Sequence, residues 1–143
     1  MPGRVSPGRP SLRHERVATG GIYLAYVLNI VAMSDPISSL ARYRVIAGRE
    51  DEFLEIIDRH WTTLRDLELV TDRAPEVYVG SERGVEGPIV VEIFDWVDED
   101  ATRRAHTHPL VSSVWEAMGP LCEGRNGGSP FEFLSLRRRP ADA

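Results

Sequence analysis

Residues 39–137 predict an α+β fold: a βαββαβ domain whose four-stranded antiparallel sheet runs in the order 4-1-3-2, with both helices on one face. Three observations carry this. Ala41, Tyr43 and Val45 alternate with Arg42 and Arg44, the period of a half-buried strand. Phe53, Ile56, Ile57, His60, Leu64 and Leu67 recur at three- and four-residue steps, and Val111, Val114, Trp115 and Met118 repeat that spacing, so each set marks one face of a helix. Two short apolar runs, residues 77–79 and 89–97, flank a Gly-containing connection at 81–88, the mark of a hairpin. Right-handed crossovers then place the third strand between the first two and the fourth on the far side of the first.

The boundaries have local causes. Gly48 ends the first strand, and Glu50, Asp51 and Glu52 suit the positive end of a helix that runs to about Leu69. Residues 71–75, with Pro75, form a loop. Asp98 is placed to cap a short helix over 101–106, with Glu99 and Asp100 in its first turn. Pro109 marks a restart, because its missing N–H costs nothing at a first helical position. Gly119 and Pro120 weaken the end of that helix. Residues 123–130 are a Gly-rich loop, and residues 131–136 form the fourth strand.

The 143 residues are enough for one ordinary domain. A hydrophobic fraction of 42% against 27% charged is a normal globular mix, so a core of about 100 residues needs no disulfide or structural metal. Cys122 is the lone cysteine; no intrachain disulfide is possible, which suits a reducing cytoplasm. The net charge is −5, and seven of the 17 arginines lie at the two ends (Arg4, Arg9, Arg13, Arg16; Arg137, Arg138, Arg139), as solvated ends rather than one binding face. Nucleic acid is therefore not an expected partner. Residues 1–38 stand apart as a disordered or mis-annotated extension, and 138–143 as a polar tail. Residues 1–21 are rich in Pro, Gly, Arg and Ser. The apolar stretch 22–33 is too short for a bilayer, which needs about 20 residues, so no membrane association is expected. It follows a basic segment, as a secretory signal does, but that segment is long and no small-x-small site precedes Ser34; a true start at Met33 is the other reading.

Strand facing predicts assembly. With Ala41, Tyr43 and Val45 toward the helices, Arg42 and Arg44 face the open side. On the third strand Ile89, Val91 and Ile93 are assigned to the helices, leaving Val90, Glu92, Phe94 and Trp96 on the open side. Such an apolar patch predicts a homodimer, sheet against sheet, with Arg42 or Arg44 neutralising Glu92.

The run from Tyr43 through Ala47-Gly48-Arg49 to Phe53 resembles the strand-Gly-helix opening of the antibiotic biosynthesis monooxygenase-like proteins. The segment 91–98 is similar to their third strand, and Ala105-His106-Thr107-His108-Pro109 with Val114-Trp115 to their second helix. The resemblance covers residues 39–137 and implies a ferredoxin-like fold and a dimeric α+β barrel. It also implies a range of activities, from cofactor-free oxidation of phenolic compounds to haem degradation and isomerisation, so fold alone does not deliver function. The haem-degrading branch uses an Asn, a His and a Trp. That trio has no clear counterpart here, which leaves haem the weaker option and no cofactor the expectation.

His60 is the leading catalytic candidate. It lies on the apolar stripe of the first helix, aiming an imidazole at the space between helix and sheet, where it can act as a base toward a phenol. The alternative is a core-edge histidine hydrogen-bonded to backbone or tyrosine. Trp61 either walls a substrate pocket or packs at the core edge; Trp115 reads as core. Tyr43 and Tyr78 offer hydroxyls, Tyr43 toward the helices and Tyr78 with its facing open. Glu92 is either a base in a cavity or an ion-pair partner of Arg42 or Arg44. His106 and His108 form an H-x-H pair whose members point to different helix faces, and no second cluster completes a metal site; His108 alternatively caps the restarted helix. Cys122 has no basic neighbour to activate it. Two functions follow: a cofactor-independent monooxygenase acting on a small phenolic or quinol compound, or a non-catalytic dimeric module that binds a small molecule or serves as a stress-related accessory protein.

Overall fold

The computed structural model describes residues 36–137, 139 and 140, so the expectations for residues 1–35 and for most of the C-terminal tail lie outside the described residues. The elements are β1 (Ile37–Arg44), α1 (Glu50–Asp66), β2 (Glu76–Ser81), β3 (Pro88–Trp96), α2 (Glu99–His106), α3 (Pro109–Met118) and β4 (Phe131–Leu136). All strand pairs are antiparallel and the order is β2-β3-β1-β4, as the connection rules require. The first strand starts two residues before the expected boundary.

Gly48 turns the chain out of β1 with a φ of +85°, a conformation that costs glycine little. α1 then buries Phe53, Ile56, Ile57, His60 and Leu64, the anticipated stripe. It stops at Asp66 rather than near Leu69 because Glu68 takes a left-handed φ of 57°. The reversal sends Leu69 and Val70 back into the core beside β3, where the Thr71 N–H donates to the Asp95 carbonyl at 2.9 Å and the Val97 N–H to the Leu69 carbonyl at 3.0 Å. Asp98 caps α2, its carboxylate accepting from the Ala101 N–H at 2.8 Å. His108 caps α3 through Nδ1, which accepts from the Leu110 N–H at 3.2 Å.

The predicted facing of β3 is inverted. Ala41 sits opposite Glu92 and Tyr43 opposite Val90, and residues opposed across an antiparallel pair share a face. Ala41, Tyr43 and Val45 do pack under the helices, so Val90, Glu92, Phe94 and Trp96 lie there too, all buried. Ile89, Val91 and Ile93 occupy the open face. The expected pairing of Glu92 with Arg42 or Arg44 is therefore absent. Arg42 pairs with Glu132, and Arg44 with Glu82 at 2.8 Å and Glu132 at 3.0 Å. The open face remains apolar, but through different residues: Leu40, Val91, Ile93, Leu134 and Leu136.

Candidate functional site

A cavity of about 340 Å³ lies between the helices and the sheet. Its inner wall includes Ala41 and Tyr43 of β1, Phe94 and Trp96 of β3, His60 of α1, and Trp115 and Met118 of α3. It reaches the surface beside β4 and α2, where Phe133, Leu134 and His106 line it and are exposed. The lining is mostly apolar and aromatic, with few polar groups, as small-molecule sites generally are.

Three of the lining residues, Tyr43, His60 and Trp115, form one connected network with the buried Glu92. The Trp115 Nε1–H donates to His60 Nε2 at 3.0 Å. An indole nitrogen only donates, so Nε2 is the acceptor and the imidazole proton sits on Nδ1. Nδ1 lies 3.0 Å from Oε1 and 3.2 Å from Oε2 of Glu92. The Tyr43 hydroxyl donates to the same Oε1 at 3.2 Å. Glu92 is fully buried and His60 is 3% exposed. A buried carboxylate is tolerated only when its oxygens are well hydrogen-bonded, and Tyr43 and His60 supply that. Burial, and next the charge of Glu92, hold the Tyr43 hydroxyl well above its ordinary ionisation range, which keeps it a donor. The Phe94 ring meets the His60 imidazole edge-on, with centres 5.7 Å apart.

The sequence-selected residues divide accordingly. His60, Tyr43 and Glu92 come together, and His106 joins them at the surface end of the cavity, its ring 4.7 Å from that of Trp115. Trp61 does not line the cavity; it packs against the core cluster that includes Leu64 and Phe94, with its indole N–H buried and unpartnered. Tyr78 is 56% exposed on the open face of the sheet and donates to Glu76 at 2.8 Å, away from the cavity. His108 is spent on its cap. Burial pushes the Cys122 thiol up to about 11, so it is not an activated nucleophile. Among the described residues no three His, Cys, Asp or Glu side chains converge on a metal position.

Trp115 packs against the core as its spacing predicts, and what sequence reasoning missed is its second role. It is half-buried, lines the cavity and bonds to the leading catalytic candidate. Phe94 and Trp96 were misplaced with the facing of β3. The signal that finds them is the register, since any strand paired with the alternating β1 must present the same face at opposed positions.

No protein-family model matches the sequence, and no curated protein is significantly similar to it. Solved structures are similar in fold. A mutant form of SnoaB, a cofactor-independent oxygenase from Streptomyces nogalater, superposes with a TM-score of 0.54 at 20% identity, covering 76% of this chain and 97% of that one. Rv0793 from Mycobacterium tuberculosis gives 0.56 at 15% identity, covering 76% and 100%. A dimeric ferredoxin-like protein of unknown function from Jannaschia sp. CCS1 gives 0.51 at 18% identity, covering 72% and 99%. The chain has the ferredoxin-like fold that its sequence resemblance implies, and no helix among the described residues is long and apolar enough to cross a membrane.

Proposed function

We propose that the protein is a cofactor-independent oxygenase that binds a small phenolic or quinol compound in the cavity beside His60. The observation that carries this is a pairing: an apolar, aromatic-walled space of about 340 Å³ whose polar wall includes a neutral imidazole backed by a buried carboxylate. That arrangement fits a flat aromatic body and offers one base for one hydroxyl. Glu92 fixes the imidazole with its proton on Nδ1 and stabilises the imidazolium formed when Nε2 accepts a second one. In the step itself the phenol O–H bond breaks, an Nε2–H bond forms, and the electron pair stays on oxygen. The electron-rich anion then reduces dioxygen. For a phenol, a ring C–H carbon para to the oxyanion becomes a carbonyl, giving a quinone, and the second oxygen atom leaves as water with that carbon's hydrogen and the proton that His60 Nε2 held. The similarity in fold to a cofactor-independent oxygenase supports this chemistry.

The assembly expected is a homodimer through the open sheet face, as a structurally similar ferredoxin-like protein is dimeric. One observation favours the alternative of a binding module without turnover: Trp115 already occupies the lone pair that His60 needs as a base. Oxygen consumption with a panel of phenols and quinols separates the two. Turnover that disappears in His60→Ala, with the quaternary state intact, supports the enzyme. Unchanged turnover removes His60 from the mechanism, and saturable binding without oxygen uptake establishes the module.

A further inference from the structure

We propose that Trp115 is a second catalytic residue of this site, a hydrogen-bond donor that passes from His60 to the oxygen of the ionised substrate. The inference rests on the reading of His60 as the base and resolves its difficulty. In the ligand-free arrangement the indole N–H satisfies Nε2 at 3.0 Å, so His60 is blocked but not protonated. A phenol that donates its own proton to Nε2 replaces the indole there. Once the proton has moved, Nε2 carries hydrogen and can no longer accept from Trp115. The two N–H groups repel each other, and the acceptor nearest to both is the new oxyanion.

The displaced donor thus finds its partner where negative charge has appeared, the condition for stabilising an ionised state more than the neutral one. The indole borders the space that the substrate would fill. Trp115 is half-buried, lines the cavity and packs against the exposed ring of His106. Tyr43 cannot take this role, because its hydroxyl is committed to Glu92.

The test uses para-nitrophenol, whose ionised form is yellow, bound to the full-length protein and titrated with pH. In the wild type the bound probe ionises at lower pH than in free solution. In Trp115→Phe, which keeps a ring but removes the donor, the probe still binds and its ionisation moves up by about one to two pH units, as loss of a charge-assisted hydrogen bond requires. Trp115→His returns an N–H donor and recovers part of the shift, which a purely structural role would not produce. Circular dichroism confirms that each variant is folded. In His60→Gln the base is gone while Trp115 remains, so the bound probe ionises less readily than in the wild type. If Trp115→Phe titrates like the wild type while in His60→Gln the probe ionises less readily, the Trp115 proposal is overturned and the base stands. If His60→Gln also titrates like the wild type, or the wild type does not ionise the probe, the reading of the site falls with it.

Discussion

At the scale of single residues, the chain Trp115–His60–Glu92–Tyr43 holds a carboxylate in the interior with its hydrogen bonds made. Each link removes an unsatisfied atom: Glu92 accepts from Tyr43 and His60, and His60 accepts from Trp115. Tyr43→Phe deletes one donor to a buried carboxylate with little change of shape. Urea denaturation is expected to show a loss of about 1.5–3 kcal/mol, the usual worth of a hydrogen bond to a charged group. The same substitution has a pH signature. Because the folded protein holds the Tyr43 hydroxyl well above the ordinary value of 10.0, the unfolded chain releases that proton first as pH rises. Stability attributable to Tyr43 is therefore complete below that ordinary value and declines above it. Comparing denaturation midpoints at about pH 8 and about pH 11 should show a steeper decline in the wild type than in Tyr43→Phe, the other tyrosines contributing equally to both. Equal declines would mean that Tyr43 ionises alike in both states.

Elements bring these residues together, and α2 is the most exposed to test. It is eight residues long, and Asp98 anchors it twice, by capping Ala101 and by pairing with Arg104 at 3.3 Å. Asp98→Ala should cost about 1 kcal/mol of stability in thermal or urea unfolding. Since α2 supplies Thr102 and His106 to the cavity, the variant should also bind para-nitrophenol more weakly; binding at wild-type strength would mean that α2 plays no part in retaining the ligand. The elements themselves were legible in the sequence. Alternation gave β1, helical stripes gave α1 and α3, and Asp98 and His108 announced their caps. The facing of β3 was not legible, because both of its faces are rich in large apolar residues. Its acid also misleads: Glu92 reads as a solvent-side residue unless its partner is known, and that partner, His60, lies 32 positions earlier on another element. His60 was legible because an imidazole interrupting an apolar stripe must point where the stripe points. Trp115 was not, since an aromatic at core spacing packs inward whether or not its N–H meets a histidine.

For the whole molecule, the corrected facing separates assembly from chemistry. The cavity is walled by the helices and the inner face of one sheet, whereas the apolar patch of Leu40, Val91, Ile93, Leu134 and Leu136 lies on the reverse; Leu134, on the edge strand, borders both. A sheet face of that character is too apolar to stay in water comfortably, and a second copy that buries it is the expected remedy. Val91 sits on the central strand β3, opposed by Arg42 on one side and Tyr78 on the other. Val91→Lys adds a cation beside Arg42 in the middle of the patch, where desolvation and like-charge repulsion both oppose docking. Sedimentation should show a dimer for the wild type at micromolar concentration and a monomer for the variant, with the same circular dichroism spectrum. A monomeric wild type would mean that the face stays exposed. Because none of the network on the inner face depends on the second copy, the Val91→Lys monomer should still bind para-nitrophenol with wild-type affinity and lower its ionisation pH. Loss of binding on dissociation would instead make the partner part of the site, and the cavity a property of the pair rather than of each chain.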